Sequence, residues 1–316
     1  MSRPAILLSY HYWRDLDVAQ VAERFPEPPW IFADSGAFSA SKALGSNVKR
    51  NVEPVTTEGF ADWLDRWAGL IQAVCTMDEL GDFDATRRNT EYLWERGHQA
   101  IPVFHVGEPW SWLDYWCEHY RYIGLGGMVP WSKQRAVVLR WVITAMRVAE
   151  QAGVKVHGLG QTGQAALANI PFFSVDSSTW VAFQRFGDLT LWDAARQRMV
   201  PVPRDPTPRS AALLRHFGID PAEYRRRSYG VGLRLAPDGR AIDQVVAERL
   251  SLRLASMRSW MEVQDWMARR HGAIDLEGHD PGPHVCLVLM HDEDARDAAT
   301  AAYHHRGVSH APAAPA

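Results

Sequence analysis

Carboxylates that follow short apolar runs are the residues of this sequence best suited to chemistry. Asp34 follows the continuous apolar run 30–33, which is typical of a parallel strand covered on both faces, and Gly36 permits a sharp turn after it. Asp176 follows a second short run, residues 172–175, which is apolar apart from Ser174. Four other runs also end in polar or glycine residues: Met77-Asp78-Glu79, Phe104-His105, Gly124-Leu-Gly-Gly127 and His157-Gly-Leu-Gly160. A pocket lined by strand ends is the pattern of an α/β-barrel active site.

Two carboxylates on different strands suit displacement at a sugar carbon, because one can attack the carbon while the other moves the proton of the leaving group. In a closed eight-stranded barrel the second and seventh strands are three apart around the ring, so Asp34 and Asp176 can converge over its centre. Asp78, on a third strand, could accept hydrogen bonds from the N–H groups of a heterocycle. Phe38 could stack on the same ring.

Each of these residues also has a purely structural interpretation. Asp-Ser-Gly at 34–36 is ordinary turn chemistry. Asp78 with Glu79 could cap the following helix, and Asp176 could cap the next. The glycines of 124–127 could let backbone approach a flat ligand, or form a weak phosphate-binding loop. His105 and His157 are as often satisfied structural histidines as catalysts.

Composition indicates a globular enzyme of a reducing compartment. The 316 residues can bury one large core, and 47% hydrophobic and 22% charged residues are typical of a soluble globular protein. No apolar run approaches the roughly 18 residues of a membrane span, and the N-terminus has no signal-peptide pattern. Cys75, Cys117 and Cys286 are far apart and odd in number, which argues against a disulfide framework and a cysteine-rich zinc module. We therefore expect a cytoplasmic enzyme.

Strand-like and helix-like segments alternate along the first 200 residues. We expect strands near 5–8, 30–34, 73–78, 100–105, 122–125, 155–159, 172–176 and 189–192. We expect helices near 57–72, 86–96, 110–120, 132–152, from 164, and 179–186. This order with short linkers predicts a (β/α)8 TIM-like barrel rather than a doubly wound sheet.

The pattern changes after residue 200, where several prolines mark a linker. We expect residues 1–200 to form the barrel that carries the active site, and residues 201–308 a mainly helical C-terminal extension packed on it, with helices at 210–217 and 241–270. The apolar run 285–290 could be a buried strand or a short helix. Residues 309–316 are rich in alanine and proline, and we expect a disordered tail.

Five short motifs resemble, in their order along the chain, the tRNA-guanine transglycosylase superfamily. They are Asp34-Ser-Gly-Ala-Phe38, Met77-Asp78-Glu79, Gly126-Gly127, His157-Gly-Leu-Gly160 and Val175-Asp176. The resemblance spans residues 31–193, nearly the whole proposed barrel. It implies a (β/α)8 barrel and the exchange of guanine for a 7-deazaguanine base.

The resemblance also implies roles for the site residues. Asp176 would be the nucleophile on the anomeric carbon of the sugar, and Asp34 the carboxylate that handles the proton. Phe38 would stack on the base, and His105 would stand where the family has a base-reading glutamine. The full set of implied base-binding residues is Ser35, Phe38, Asp78, His105, Gly126, Gly127, His157 and Gln161.

Differences from the family pattern indicate which branch of the superfamily this chain resembles more. The tRNA-acting enzymes carry a C-terminal zinc site of three cysteines and a histidine, and nothing in this sequence matches it. Ala37 and Phe38 alter the usual turn, and Ser177-Ser-Thr-Trp180 replaces the usual stretch after the nucleophile. The chain is more similar to the DpdA-like branch, which places 7-deazaguanines in DNA and includes short phage-encoded enzymes. We expect a DNA-guanine transglycosylase that needs no zinc and takes a 7-deazaguanine such as preQ0 as co-substrate.

Three other functions stay open at this point. An RNA-acting base exchanger would use the same chemistry. A barrel nucleosidase or phosphosugar enzyme would use residues 124–127 as a phosphate site. A non-catalytic barrel would bind nucleic acid without turnover.

A local basic run is the candidate DNA-binding surface. The formal net charge of −3 gives no global basic field, so affinity for DNA must come from part of the surface. The run comprises Arg225, Arg226, Arg227 and Arg234. A solvated arginine face is an equally good interpretation of it.

Reversing two of these charges, as in Arg226→Glu with Arg227→Glu, is expected to weaken DNA binding and flatten its salt dependence, because each phosphate contact contributes to the slope. Anisotropy titrations of labelled DNA at several salt concentrations measure both effects. Arg87→Glu with Arg88→Glu, a pair outside the run, is the control. Binding that is unchanged at every salt concentration would contradict the prediction.

Overall fold

The structure, a computed structural model, describes residues 2–37, 54–131, 133–181, 189–226 and 241–307. Phe38, Arg227 and Arg234 lie outside these residues, and so do the side chains of Arg225 and Arg226. The tail at 309–316 also lies outside them, so the predictions made for these residues stay predictions.

Eleven strands are described. They are β1 Ala5–Ser9, β2 Trp30–Asp34, β3 Ala73–Cys75, β4 Ala100–Ile101, β5 Val103–His105, β6 Tyr122–Gly126, β7 Lys155–Gly158, β8 Ser174–Ser177, β9 Thr190–Asp193, β10 Arg198–Pro201 and β11 His284–Leu289. Nine of them form one parallel sheet in the order β4-β3-β2-β1-β11-β8-β7-β6-β5.

The two ends of this sheet belong to one interrupted strand. β4 and β5 are separated only by Pro102, which lacks the N–H that an uninterrupted ladder needs. The carbonyl of Pro102 still accepts a hydrogen bond from the Gly124 N–H at 2.8 Å. The strands therefore enclose a TIM-like barrel, as the alternation of strand-like and helix-like segments predicted.

Alternate side chains of each strand point into the barrel or out toward the helices. Trp30 and Phe32 of β2 lie in the interior cluster, whereas Ile31 and Ala33 lie in the cluster beneath the helices. Both faces are thus covered, which explains why the strand sequences are continuously apolar. In β2 the same alternation carries Asp34 to the interior side at the carboxyl end of the strand.

Helices surround the barrel and follow most of its strands. They span Tyr10–Trp13, Val18–Glu23, Thr57–Trp67, Phe83–Glu95, Trp110–His119, Arg135–Gln151, Gln164–Asn169, Pro208–His216, Pro221–Arg226, Ala241–His271 and Asp292–His305, with 3-10 turns at Val129–Trp131 and Thr179–Val181. Among these described helices, none is both long enough and apolar enough to cross a membrane.

Residues 189–192 were predicted to form the eighth strand of the barrel, and this assignment is wrong, although a strand does form there. Residues Thr190–Asp193 form β9, which pairs antiparallel with β10 in a separate two-stranded sheet. The barrel is instead completed by β11, which lies between β1 and β8 and pairs parallel with both. The run that could have been a strand or a helix is therefore a strand, and the barrel does not end at residue 200.

The long helix Ala241–His271 helps to hold the inserted strand. The buried Gln264 accepts a hydrogen bond from the Val285 N–H at 2.7 Å and donates to the carbonyl of Arg3 at 2.6 Å. This one side chain bridges the amino-terminal ends of β1 and β11. The C-terminal extension is helical in large part, as expected, but it is also integral to the sheet.

A chain that ends at Asp205 is expected not to fold, because β1 and β8 would each lose one of the two strands that pair with them. Far-ultraviolet circular dichroism and size-exclusion chromatography measure the loss of structure. A chain that ends at Gly307 keeps every described element and is the control. Cooperative unfolding of a monomeric 1–205 fragment would show that the barrel closes without β11.

Candidate active site at the mouth of the barrel

Three carboxyl groups meet at the carboxyl ends of the barrel strands. Asp34 ends β2, Asp176 lies in β8, and Asp78 lies just beyond β3. β2 and β8 are separated in the ring by β1 and β11, so they are three strands apart, as expected. The charges of Asp78 and Asp176 both act on the Asp34 carboxyl group and raise its pKa.

Asp34 is set up to carry a proton near neutral pH. Burial raises the pKa of its carboxyl group, and repulsion from Asp78 and Asp176 raises it further, to about 7. The Gly36 N–H donates to Oδ2 at 3.0 Å, which acts in the opposite direction but more weakly. Asp34 can therefore be a proton donor in one step and an acceptor in another.

A buried histidine between two carboxylates holds Asp78 in place. His105 Nε2 lies 2.7 Å from Asp78 Oδ2, and its Nδ1 lies 2.8 Å from Glu108 Oε1. The second oxygen of Glu108 accepts the His105 backbone N–H at 2.8 Å. The His105 side chain is 2% exposed and that of Glu108 is 8% exposed.

The two carboxylates keep His105 protonated. Burial is the largest single effect and lowers the pKa of the imidazole, but the hydrogen bonds and charges of Asp78 and Glu108 together outweigh it and raise the pKa to about 9. Both ring nitrogens are occupied, so His105 has no free atom to read a base. Asp78, the partner of its Nε2, is more exposed than His105 itself.

The glycines of the β6 end make room for this histidine. A Cβ atom on Gly126 would lie 2.9 Å from the Val103 side chain, and one on Gly127 would lie 2.8 Å from Cβ of His105. Gly127 also has a φ of +69°, which favours glycine. The Cα side of Gly126 and Gly127 is thus packed against neighbouring side chains. This is the backbone that was expected to approach a ligand or a phosphate.

Asp176 accepts a hydrogen bond from the loop after β7 and lies beside a buried histidine of β7. The Gly160 N–H donates to Oδ1 at 2.6 Å, and His157 Nε2 lies 3.3 Å from the same oxygen. His157 is completely buried, and its ring stacks on Phe32 at 4.2 Å between centroids. His157 therefore contacts the predicted nucleophile and not an open base pocket.

The remaining predicted residues line the same end of the barrel less directly. Ser35 is buried, and its Oγ accepts the Ala37 N–H at 3.3 Å. Gln161 is part-buried and its side-chain nitrogen lies against Met128 Sδ. These contacts place neither side chain against the three carboxyl groups.

The capping interpretation of Asp78 is wrong. Asp82 caps the following helix, Phe83–Glu95, by accepting the Ala85 N–H at 2.9 Å. Asp78 instead contacts His105. In the same way Asp176 accepts the Gly160 N–H, which comes from the preceding strand–loop unit and not from a helix that follows Asp176.

Sequence reasoning missed Glu108. It also missed Ser174, which is hydrogen-bonded to His157, and Tyr122, which is hydrogen-bonded to Ser174. Glu108 follows the strand-end His105 by three residues, and a carboxylate at that spacing was the available signal. Ser174 and Tyr122 alternate with apolar residues inside β8 and β6, where polar side chains must find partners in the interior. No local pattern pairs them with His157.

The thiols of the barrel interior are poor nucleophiles. Burial raises the pKa of Cys75 well above its usual range, and Asp34, Asp78 and Asp176 raise it further. Burial and the charge of Asp176 do the same to Cys286. Both thiols stay protonated, so the reactive groups of this mouth are its carboxylates.

The proton on Asp34 predicts a pH-dependent stability. The folded protein binds this proton more tightly than the unfolded chain does. The proton therefore contributes fully to the free energy of unfolding below the unfolded pKa of about 4, and this contribution is lost as the pH rises through about 7. Between pH 5 and pH 8 the free energy of unfolding should fall by about 2–3 kcal/mol less in Asp34→Asn than in the wild type.

Urea unfolding at both pH values measures this difference. Asp114→Asn, which removes an exposed carboxylate of the helix Trp110–His119, is the control for the loss of one negative charge. An equal fall in Asp34→Asn and the wild type would mean that Asp34 does not titrate near neutral pH.

The mouth thus combines three carboxyl groups: Asp34, which can carry a proton, Asp176, which is oriented by the Gly160 N–H, and Asp78, which is fixed by the charged His105. No protein-family model matches the chain, and no curated protein sequence is significantly similar to it. A function for this site must therefore be inferred from the geometry of the mouth together with the motif resemblance.

Proposed function

We propose that the protein is a DNA-guanine transglycosylase that exchanges guanine in DNA for a 7-deazaguanine base through a covalent intermediate on Asp176. The observation that supports this most strongly is the pair of unlike carboxyl groups at one mouth. Asp34 can carry a proton because its pKa is about 7, while Asp176 accepts the Gly160 N–H. The superfamily resemblance gives these two residues the same roles.

In the first displacement, a carboxylate oxygen of Asp176 attacks the anomeric carbon of the sugar. The bond from that carbon to the guanine nitrogen breaks, and its electron pair goes to the departing base, which takes the proton of Asp34. In the second displacement, Asp34 accepts a proton from the incoming base, whose nitrogen attacks the same carbon. Asp176 leaves with the electron pair of its bond, and two inversions restore the original configuration.

Asp78 is suited to hold the base. His105 engages its Oδ2, and its Oδ1 accepts no hydrogen bond from the described residues. The free oxygen can accept an N–H of guanine or of a 7-deazaguanine, and both bases offer such groups.

DNA is proposed as the polymer because the sequence resembles the branch that modifies DNA. The sugar carbon of a stacked nucleotide is out of reach of carboxylates at a barrel mouth, so the substrate is a flipped-out nucleotide or a single strand. The phosphosugar alternative has less support, because the space over Gly126 and Gly127 is filled by Val103 and His105.

Asp176→Ala is expected to abolish both the covalent protein–DNA species and base exchange, because no nucleophile remains. Asp34→Asn should slow exchange by roughly 10²–10⁴-fold, the usual cost of losing acid–base assistance, yet leave Asp176 able to attack. Denaturing gels of protein with a single-stranded oligonucleotide, with and without preQ0, measure the trapped species. Mass spectrometry of the digested nucleosides measures exchange.

Two comparisons sharpen this test. An RNA oligonucleotide of the same sequence separates a DNA enzyme from an RNA enzyme, and Asp114→Asn controls for charge. Trapping by Asp176→Ala but not by Asp34→Asn would mean that the two roles are exchanged. Full exchange by both variants would refute the transglycosylase assignment.

A further inference from the structure

A chain of buried polar groups leads from the barrel interior to Asp176. The Tyr122 hydroxyl lies 2.5 Å from Ser174 Oγ, and Ser174 Oγ lies 2.5 Å from His157 Nδ1. The other ring nitrogen of His157, Nε2, lies 3.3 Å from Asp176 Oδ1. Ser174 and His157 are completely buried and Tyr122 nearly so, so none of these contacts competes with bulk water.

The protons of this chain can point in only one direction. Burial raises the pKa of Tyr122 well above its usual range, so the phenol keeps its proton. Among the described residues Ser174 is the only hydrogen-bond partner of this hydroxyl, and a buried O–H must donate. Ser174 Oγ therefore accepts from Tyr122 and gives its own proton to Nδ1 of His157.

Nδ1 of His157 then accepts a hydrogen bond, which leaves the ring proton on Nε2. That nitrogen makes no hydrogen bond of good geometry with any described residue and faces Asp176 Oδ1. Oδ1 already accepts the Gly160 N–H at 2.6 Å. Within the part of the chain that the structure describes, Oδ2 of Asp176 accepts no hydrogen bond and keeps both lone pairs.

We propose that Tyr122, Ser174 and His157 form a donor chain that places the Nε2–H group of His157 beside Oδ1 of Asp176 and leaves Oδ2 as the oxygen that attacks the sugar. This inference rests on the proposed function for the identity of the attacked carbon. Oδ2 forms the new bond with one of its lone pairs, while the bond to guanine breaks toward the base as described above. His157 is a positioning residue, since it acts through Asp176.

The donor chain also explains why a histidine stands at this position of β7. An apolar side chain would fill the space against Phe32 but would leave the Ser174 hydroxyl without an acceptor. A glutamine could still donate to Asp176 from its side-chain nitrogen, which corresponds to Nε2 of the ring. Comparing His157→Leu with His157→Gln therefore separates the effect of His157 on the position of Asp176 from its effect on packing.

The first test is the protonation state of His157 in the free full-length protein. Nitrogen-15 NMR of histidine-labelled protein is expected to show a protonated Nε2 and an unprotonated Nδ1, with the signal assigned by its loss in His157→Gln. Tyr122→Phe combined with Ser174→Ala removes both hydroxyls and should abolish the preference for this tautomer. A proton on Nδ1, or on both nitrogens, overturns the donor chain.

The second test is the rate at which the covalent DNA species forms. His157→Leu is expected to slow trapping by roughly 10- to 100-fold, the range for losing a donor beside a charged group, with the affinity for DNA unchanged. His157→Gln should recover most of the rate. Tyr120→Phe removes a hydroxyl outside the chain and is the control. Equal rates in the leucine and glutamine variants overturn positioning by His157.

The two tests keep the inference separate from the function it rests on. A wild type that has the expected tautomer but never traps DNA refutes the transglycosylase and leaves the donor chain standing. A wild type that traps DNA with a proton on Nδ1 refutes the donor chain and supports the transglycosylase.

Discussion

The barrel depends on one long-range pairing, the insertion of β11 between β1 and β8. Without it both neighbours would expose unpaired backbone N–H and C=O groups along an open edge. The observed registers set Leu8 beside Leu289 and Asp176 beside Cys286. Because Asp34 ends β2 and Asp176 lies in β8, the inserted strand also fixes how far apart these two carboxylates stand around the mouth.

Gathering three carboxyl groups at this mouth has an electrostatic cost that the structure offsets in two ways. His105 places a positive charge beside Asp78, and Glu108 keeps that charge in place from the other side of the ring. Asp34 has no such partner among the described residues and takes up a proton near neutral pH instead. Asp78 is therefore a fixed hydrogen-bond acceptor, whereas Asp34 is a group that can exchange protons.

Much of the candidate site was predictable because strand ends can be recognised locally. The placement of Asp34 and Asp176 three strands apart follows from their positions in the second and seventh runs. The partners of the histidines were not predictable, since a hydrogen bond such as that between His157 and Ser174 depends on which strands are neighbours. Glu108 was hidden for a related reason: its carboxylate turns back onto His105 instead of facing solvent.

The sequence by itself determined the alternation of strands and helices and the buried character of the strands. It also determined the start of the helix predicted near 57–72, where the Thr56 hydroxyl accepts the Gly59 N–H. Only the tertiary structure decided which apolar run completes the barrel. Residues 189–192 and 284–289 are both short and apolar, and local periodicity cannot rank them. The choice depends on hydrogen bonding between β1 and a strand near the other end of the chain, and on the cover that the helix Ala241–His271 gives that strand. Those interactions exist only after the chain has folded.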